Sequence, residues 1–118
     1  MNLDGKLVRN NIPSIIMKDG QTCVTKRVFG VEKKEYLKAK LLEEVNEFIE
    51  AETDKEIKNE LVDICEVLRE ILREYDMRYS SSVDENIEDM MTDKRSVKGS
   101  FSSGVVLLDA FDPNQFRG

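Results

Sequence analysis

The sequence predicts a mainly α protein: an antiparallel helical bundle with a small two-stranded β ribbon from residues near 22–29 and 104–110. Three observations carry that expectation. Two long central stretches repeat apolar residues at three- and four-residue spacing, a helix-capping signature separates them, and β-branched segments bordered by glycine flank the helical region. The 118 residues are the size of one domain, 1–118, with a frayed tail after about 111. Of these, 34 are Leu, Ile, Val or Phe, enough for a core without disulfides or a structural metal.

Each element has a local reason. Asn11 is placed to cap a short helix, Pro13 suits its first turn, and Ile12, Ile15 and Ile16 share one face before Asp19 and Gly20 stop it. Residues 22–29 are β-branched and read as a strand. From Glu32 to Ala51, Leu37, Leu41, Leu42, Val45, Phe48 and Ile49 make one apolar stripe. Thr53 and Glu56 then form a capping box. A second long helix follows to about Tyr75. Its apolar face, Ile57, Leu61, Ile64, Cys65, Leu68, Ile71 and Leu72, is widened by Val62 and Val67. So wide a face suits a central helix or one buried in a homo-oligomer, a dimer or tetramer. After a loop at 77–81, Ser82 and Glu85 make another capping box for a helix carrying Ile87, Met90, Met91, Lys94 and Lys98, which Gly99 ends. The second strand of the ribbon starts at Gly104.

Composition narrows the chemistry. With 18 basic and 24 acidic residues the chain carries a net charge of −6, the wrong sign for a general nucleic-acid binder. No histidine is present, so Ser-His-Asp and Cys-His nucleophiles, histidine zinc sites and Glu-x-x-His di-iron bundles are all excluded. Acid–base or metal chemistry must then run on carboxylates, whose oxygen ligands suit Mg²⁺ or Mn²⁺. The first residues lack the apolar core of a secretory signal, and no apolar run approaches the roughly 18 residues that cross a bilayer. The expectation is a cytoplasmic protein, with no membrane association, whose isolated Cys23 and Cys65 are reduced and buried.

Two acidic motifs stand out: Glu43-Glu44-x-x-Glu47 and Glu60-x-x-Asp63. Residues three apart share a helix face, so each motif sets carboxylates side by side. Glu44 and Glu60 border the apolar stripes of their helices, at the rim of the helix–helix contact. A short turn at Thr53 and Asp54 folds the two helices into an antiparallel hairpin. Glu44 and Asp63 are equidistant from that turn, and so are Glu47 and Glu60; the four carboxylates can converge at one height. Such charges repel by a few kcal/mol per pair at about 4 Å and an effective dielectric near 20. Protonation, interleaved lysines or a divalent cation would relieve them. Lys40 lies one turn before Glu44, and Lys94 and Lys98 are one turn apart, a set of cations that suits a polyphosphate.

At these residues the chain resembles the MazG-type all-α nucleoside triphosphate pyrophosphohydrolase superfamily. That signature runs Glu-Glu-x-x-Glu, Glu-x-x-Asp, then Lys-x-x-x-Arg-Gly, matched here by Glu43-Glu44-x-x-Glu47, Glu60-x-x-Asp63 and Lys94-x-x-x-Lys98-Gly99. The opening from Lys6 through Arg9 to Pro13 resembles the start of its phosphoribosyl-ATP pyrophosphohydrolase-like subgroup. Asn10 and Asn11 stand where Asp and Lys are usual. Lys98 replaces Arg, keeping the charge without the bidentate fork, and Ser100 interrupts a Gly-Gly-Phe.

The resemblance implies that Glu44, Glu47, Glu60 and Asp63 hold Mg²⁺, with Mn²⁺ as the substitute. Glu43 would orient or deprotonate the attacking water, and Lys40, Lys94 and Lys98 would bind phosphates. The implied reaction is hydrolysis of a nucleotide substrate between the α- and β-phosphates, giving monophosphate and pyrophosphate; removal of non-standard nucleotides is one role for it. A reading from another class is an inert helical dimerisation or regulatory module that keeps the fold. The intact acidic quartet favours the enzyme.

Overall fold

Helix-forming stretches of apolar residues at three- and four-residue spacing account for the architecture. The computed structural model describes residues 3–80 and 86–114, and it contains four helices: α1 (Ile12–Lys18), α2 (Gly30–Glu50), α3 (Asp54–Glu74) and α4 (Ile87–Lys98). The chain divides into two compact units, Met1–Arg78 and Tyr79–Gly118.

In the first unit α2 and α3 pack as the expected hairpin. The capping box works as the sequence predicts: Thr53 accepts from the Glu56 backbone N–H at 3.1 Å. The Glu56 carboxylate reaches back one residue further than a standard box, accepting from the Glu52 N–H at 3.3 Å. Thr53→Ala should therefore cost about 1 kcal/mol in a denaturant melt. An unchanged midpoint would show that the cap does not fix the turn.

The seam between the two helices is part apolar and part ionic. Leu37, Tyr36 and Val67 are the buried hydrophobic residues among the described residues. At its open end Lys33 bridges two turns of α3, with its ammonium 2.8 Å from Glu70 and 3.1 Å from Glu74. With Asp63, Glu70 and Leu72 half-buried beside them, the half-buried or buried α3 positions Ile57, Glu60, Ile64, Val67, Ile71 and Glu74 follow one line along the helix. Their alternating three- and four-residue steps are a coiled-coil-like seam in which every third position or so is acidic. Val67, expected only to widen the apolar face, sits on that seam. Leu61, Val62, Cys65 and Leu68 form an exposed row beside it, and α2 exposes Leu42 and Ile49.

Three expectations need correction. No strand forms among the described residues, so the β ribbon is absent. Residues 22–29 and 104–110 have β-branched composition, but strands are stabilised by paired ladders and covered faces, and a lone ribbon is marginal. Val24 is 102% exposed and Leu108 91%, with nothing packed over them. Asn11 takes the N-cap position of α1, yet its side chain makes no capping hydrogen bond. The cysteines are free but not buried: Cys23 is half-buried and Cys65 exposed, because only one edge of the wide α3 face is covered.

In the second unit α4 begins at Ile87, where Asn86 accepts from the Asp89 N–H at 2.8 Å. The capping box expected at Ser82 and Glu85 lies outside the described residues. Gly99, at φ +81°, ends the helix in a left-handed conformation that disfavours a side chain. Beyond Phe111 an Asp112 carboxylate accepts from the Asn114 N–H, and the rest of the tail lies outside the described residues. Among the described residues no helix is long and apolar enough to cross a membrane.

Candidate metal centre

The hairpin register brings carboxylates together where apolar seam residues would be expected. Oxygens of Glu44, Glu47 and Glu60 all lie within 4.8 Å of one another, Glu44 and Glu47 from α2 and Glu60 from α3. Glu44 is the most deeply placed, at 5% exposed, more buried than its position at the rim of the stripe suggested. Glu60 is half-buried and Glu47 exposed, so the group opens to solvent on the Glu47 side.

This arrangement is costly as it stands. A buried carboxylate oxygen without a hydrogen bond loses its hydration and gains nothing in return. Two oxygens are in that position, Glu44 Oε2 and Glu60 Oε2. Burial, followed by the neighbouring Glu47 carboxyl, holds the Glu44 pKa above the ordinary carboxylate value, against the pull of Lys40. Lys40 lies 3.3 Å from Glu44 and 3.3 Å from Glu43. Burial works against the Lys40 charge, yet the two carboxylates outweigh it and raise its pKa. A hard cation fits this donor set: only oxygen is offered, from three side chains, and two of the oxygens lack any other partner.

Asp63, the fourth expected ligand, lies outside that group. Its carboxylate accepts from Arg9 Nη2 at 2.7 Å. Glu43 is likewise engaged on the flank, 3.7 Å from Lys6 and 3.3 Å from Lys40. The sequence reasoning gave no role to Lys6 or Arg9. Their only signal was the Lys-Leu-Val-Arg opening, whose position in space a one-dimensional reading does not supply. Five carboxylates and three cations meet here, leaving two negative charges, as many as one divalent ion neutralises.

Lys94 and Lys98 belong to α4 in the second unit. Among the described residues neither pairs with a carboxylate, and Lys98 in the last turn complements the helix dipole. An open depression on α3, lined by Lys55, Glu56, Lys58, Asn59, Glu60 and Val62, meets the carboxylate group only through Glu60.

Comparison of the chain with protein-family models, with curated proteins and with solved structures returned no match. The resemblance to the MazG-type superfamily therefore rests on the motif residues quoted above.

Proposed function

We propose that the protein is a Mg²⁺-dependent nucleotide pyrophosphohydrolase that splits a nucleoside triphosphate, or a phosphoribosyl-ATP-like nucleotide, into monophosphate and pyrophosphate. The observation that carries this reading is the convergence of Glu44, Glu47 and Glu60 within 4.8 Å, with two buried carboxylate oxygens left unpartnered. Unpaired charges buried at a helix seam cost stability, and a bound cation would offset that cost.

In this reading Glu44, Glu47 and Glu60 hold the ion, and Asp63 joins them once its pairing with Arg9 is exchanged. Mn²⁺ offers the same coordination preferences. When bound, the ion supplies charge neutralisation for the phosphate oxygens and an acidified water. Glu43, at the flank of the cluster, orients or deprotonates that water. Lys40 takes a phosphate oxygen, since its ammonium already lies between Glu43 and Glu44. Lys94 and Lys98 are assigned to the outer phosphates by the motif alone, where they would absorb charge developing on the pyrophosphate. No covalent nucleophile is required, which suits a chain without histidine. The exposed apolar rows on α2 and α3 suit a homo-oligomer that buries them.

Hydrolysis in ¹⁸O-labelled water tests the reaction. A nucleoside triphosphate with Mg²⁺ should yield labelled monophosphate and unlabelled pyrophosphate. Label in free orthophosphate, from protein cleared of contaminating phosphatases, would overturn attack at the α-phosphorus. A wild-type protein that takes up neither Mg²⁺ nor nucleotide would leave the inert helical module in its place.

A further inference from the structure

The N-terminal segment crosses the open face of the hairpin and delivers one cation to each helix. Tyr36, buried on α2, donates its hydroxyl to the Asp4 carbonyl at 2.7 Å, which fixes where the segment starts. Leu7 is half-buried, so the chain between Lys6 and Arg9 lies against the hairpin rather than off it. From there Lys6 reaches Glu43 on α2, and Arg9 reaches Asp63 on α3. These are the two acidic residues of the paired motifs that flank the Glu44, Glu47 and Glu60 group.

Both cations remain half or more in water: Arg9 is 54% exposed at its side chain and Lys6 68%. Ion pairs this exposed hold little free energy and exchange easily. Guanidinium prefers a bidentate anion, and phosphate offers one with more charge than a single carboxylate oxygen. A divalent ion on the neighbouring carboxylates also lowers the negative field that keeps Arg9 and Lys6 where they are. The same ion brings the cluster only to neutrality, so a bound polyphosphate needs further positive charge nearby.

We propose that Arg9 and Lys6 are phosphate-binding residues of the nucleotide site, held in place by Asp63 and Glu43 and exchanged onto the substrate's phosphates when Mg²⁺ and nucleotide bind. This rests on the metal-dependent reading above and adds a ligand role that the paired acidic motifs do not contain. The exchange has a second consequence: Asp63 is released toward the ion in the same step that Arg9 is released toward phosphate. A merely structural ion pair would have neither property.

Calorimetry on the full chain separates the possibilities, using wild type, the Lys6→Ala/Arg9→Ala double variant and Arg9→Lys. Mg²⁺ alone is titrated first, then an α,β-methylene nucleoside triphosphate at saturating Mg²⁺. The double variant is expected to bind Mg²⁺ as tightly as wild type or more tightly, because a competing positive charge is gone. Its affinity for the analogue should fall tenfold or more, and Arg9→Lys should lie between. An analogue affinity equal to wild type would overturn the proposal. So would a double variant that loses Mg²⁺ and analogue affinity together, since that marks a structural strut for the carboxylates. Wild type that takes up no Mg²⁺ would overturn the metal-dependent reading itself and this inference with it. Wild-type uptake with unchanged analogue affinity in the variants overturns this inference alone.

Discussion

Glu44→Gln is expected to abolish turnover and, in the presence of chelator at neutral pH, to raise the melting temperature. The loss should exceed about 100-fold, since even residues that only orient metal ligands carry 10- to 100-fold effects. The gain in stability follows from geometry: Glu44 is buried, its Oε2 has no partner, and Glu47 crowds it. Its raised pKa means that the folded protein binds this proton more tightly than the unfolded chain does. Stability from this group is therefore greatest at low pH and is lost as pH rises from the ordinary carboxylate value of 4.5 through the raised value. Glutamine has no such titration, so the variant's stability curve should be flatter across that window. Glu60→Gln should also abolish turnover and raise the metal-free melting temperature, because Glu60 Oε2 is buried and unpartnered. Asp63→Asn should lose activity with less gain, as it breaks the ion pair with Arg9. Thermal melts of metal-free protein at several pH values decide it. A Glu44→Gln protein that melts below wild type at pH 7 would mean that the carboxylate stabilises the fold rather than serving a ligand.

Leu37→Ala is expected to cost about 3 kcal/mol, within the 2–5 kcal/mol range for truncating a buried leucine. Leu37 is 2% exposed and, with Tyr36 and Val67, makes up the buried hydrophobic core among the described residues. A core so small has few neighbours that can collapse into the cavity. The melting temperature should fall by about 10 °C or more. Leu42, 63% exposed on the same helix, provides the contrast. Leu42→Ala should leave unimolecular stability nearly unchanged, while weakening self-association if its row is buried between copies. Denaturant melts at two protein concentrations report both effects. Equal costs at the two leucines would refute the division of α2 into a seam and an outer row.

The helices were legible because their determinants are local. The apolar spacing of α2 and α3, the Thr53 cap and Gly99 each act within a few residues, and all lie within a residue or two of where the sequence places them. The acidic convergence was partly legible for a related reason. A short turn fixes the register of a hairpin, so equal distances from Thr53 and Asp54 bring Glu47 and Glu60 to one height. Helix rotation was not legible in the same way, and rotation made Val67 a seam residue and left Leu61 outside.

The strands failed for the opposite reason. β-branched composition favours extended backbone, but a strand exists only when another chain segment completes its hydrogen bonds, and that is a tertiary event. Cys65 looked buried because an apolar face is assumed to be covered, and the covering element is not written in the helix itself. Thus the sequence alone determined the long helices, the Thr53 cap, the Gly99 stop, the hairpin register and an acidic cluster free of histidine. Tertiary structure alone decided that Glu44 lies buried in the seam and that Lys6 and Arg9 sit on Glu43 and Asp63. Contacts between residues 54 apart, as in Arg9 with Asp63, depend on how an irregular segment packs. No local propensity encodes that path.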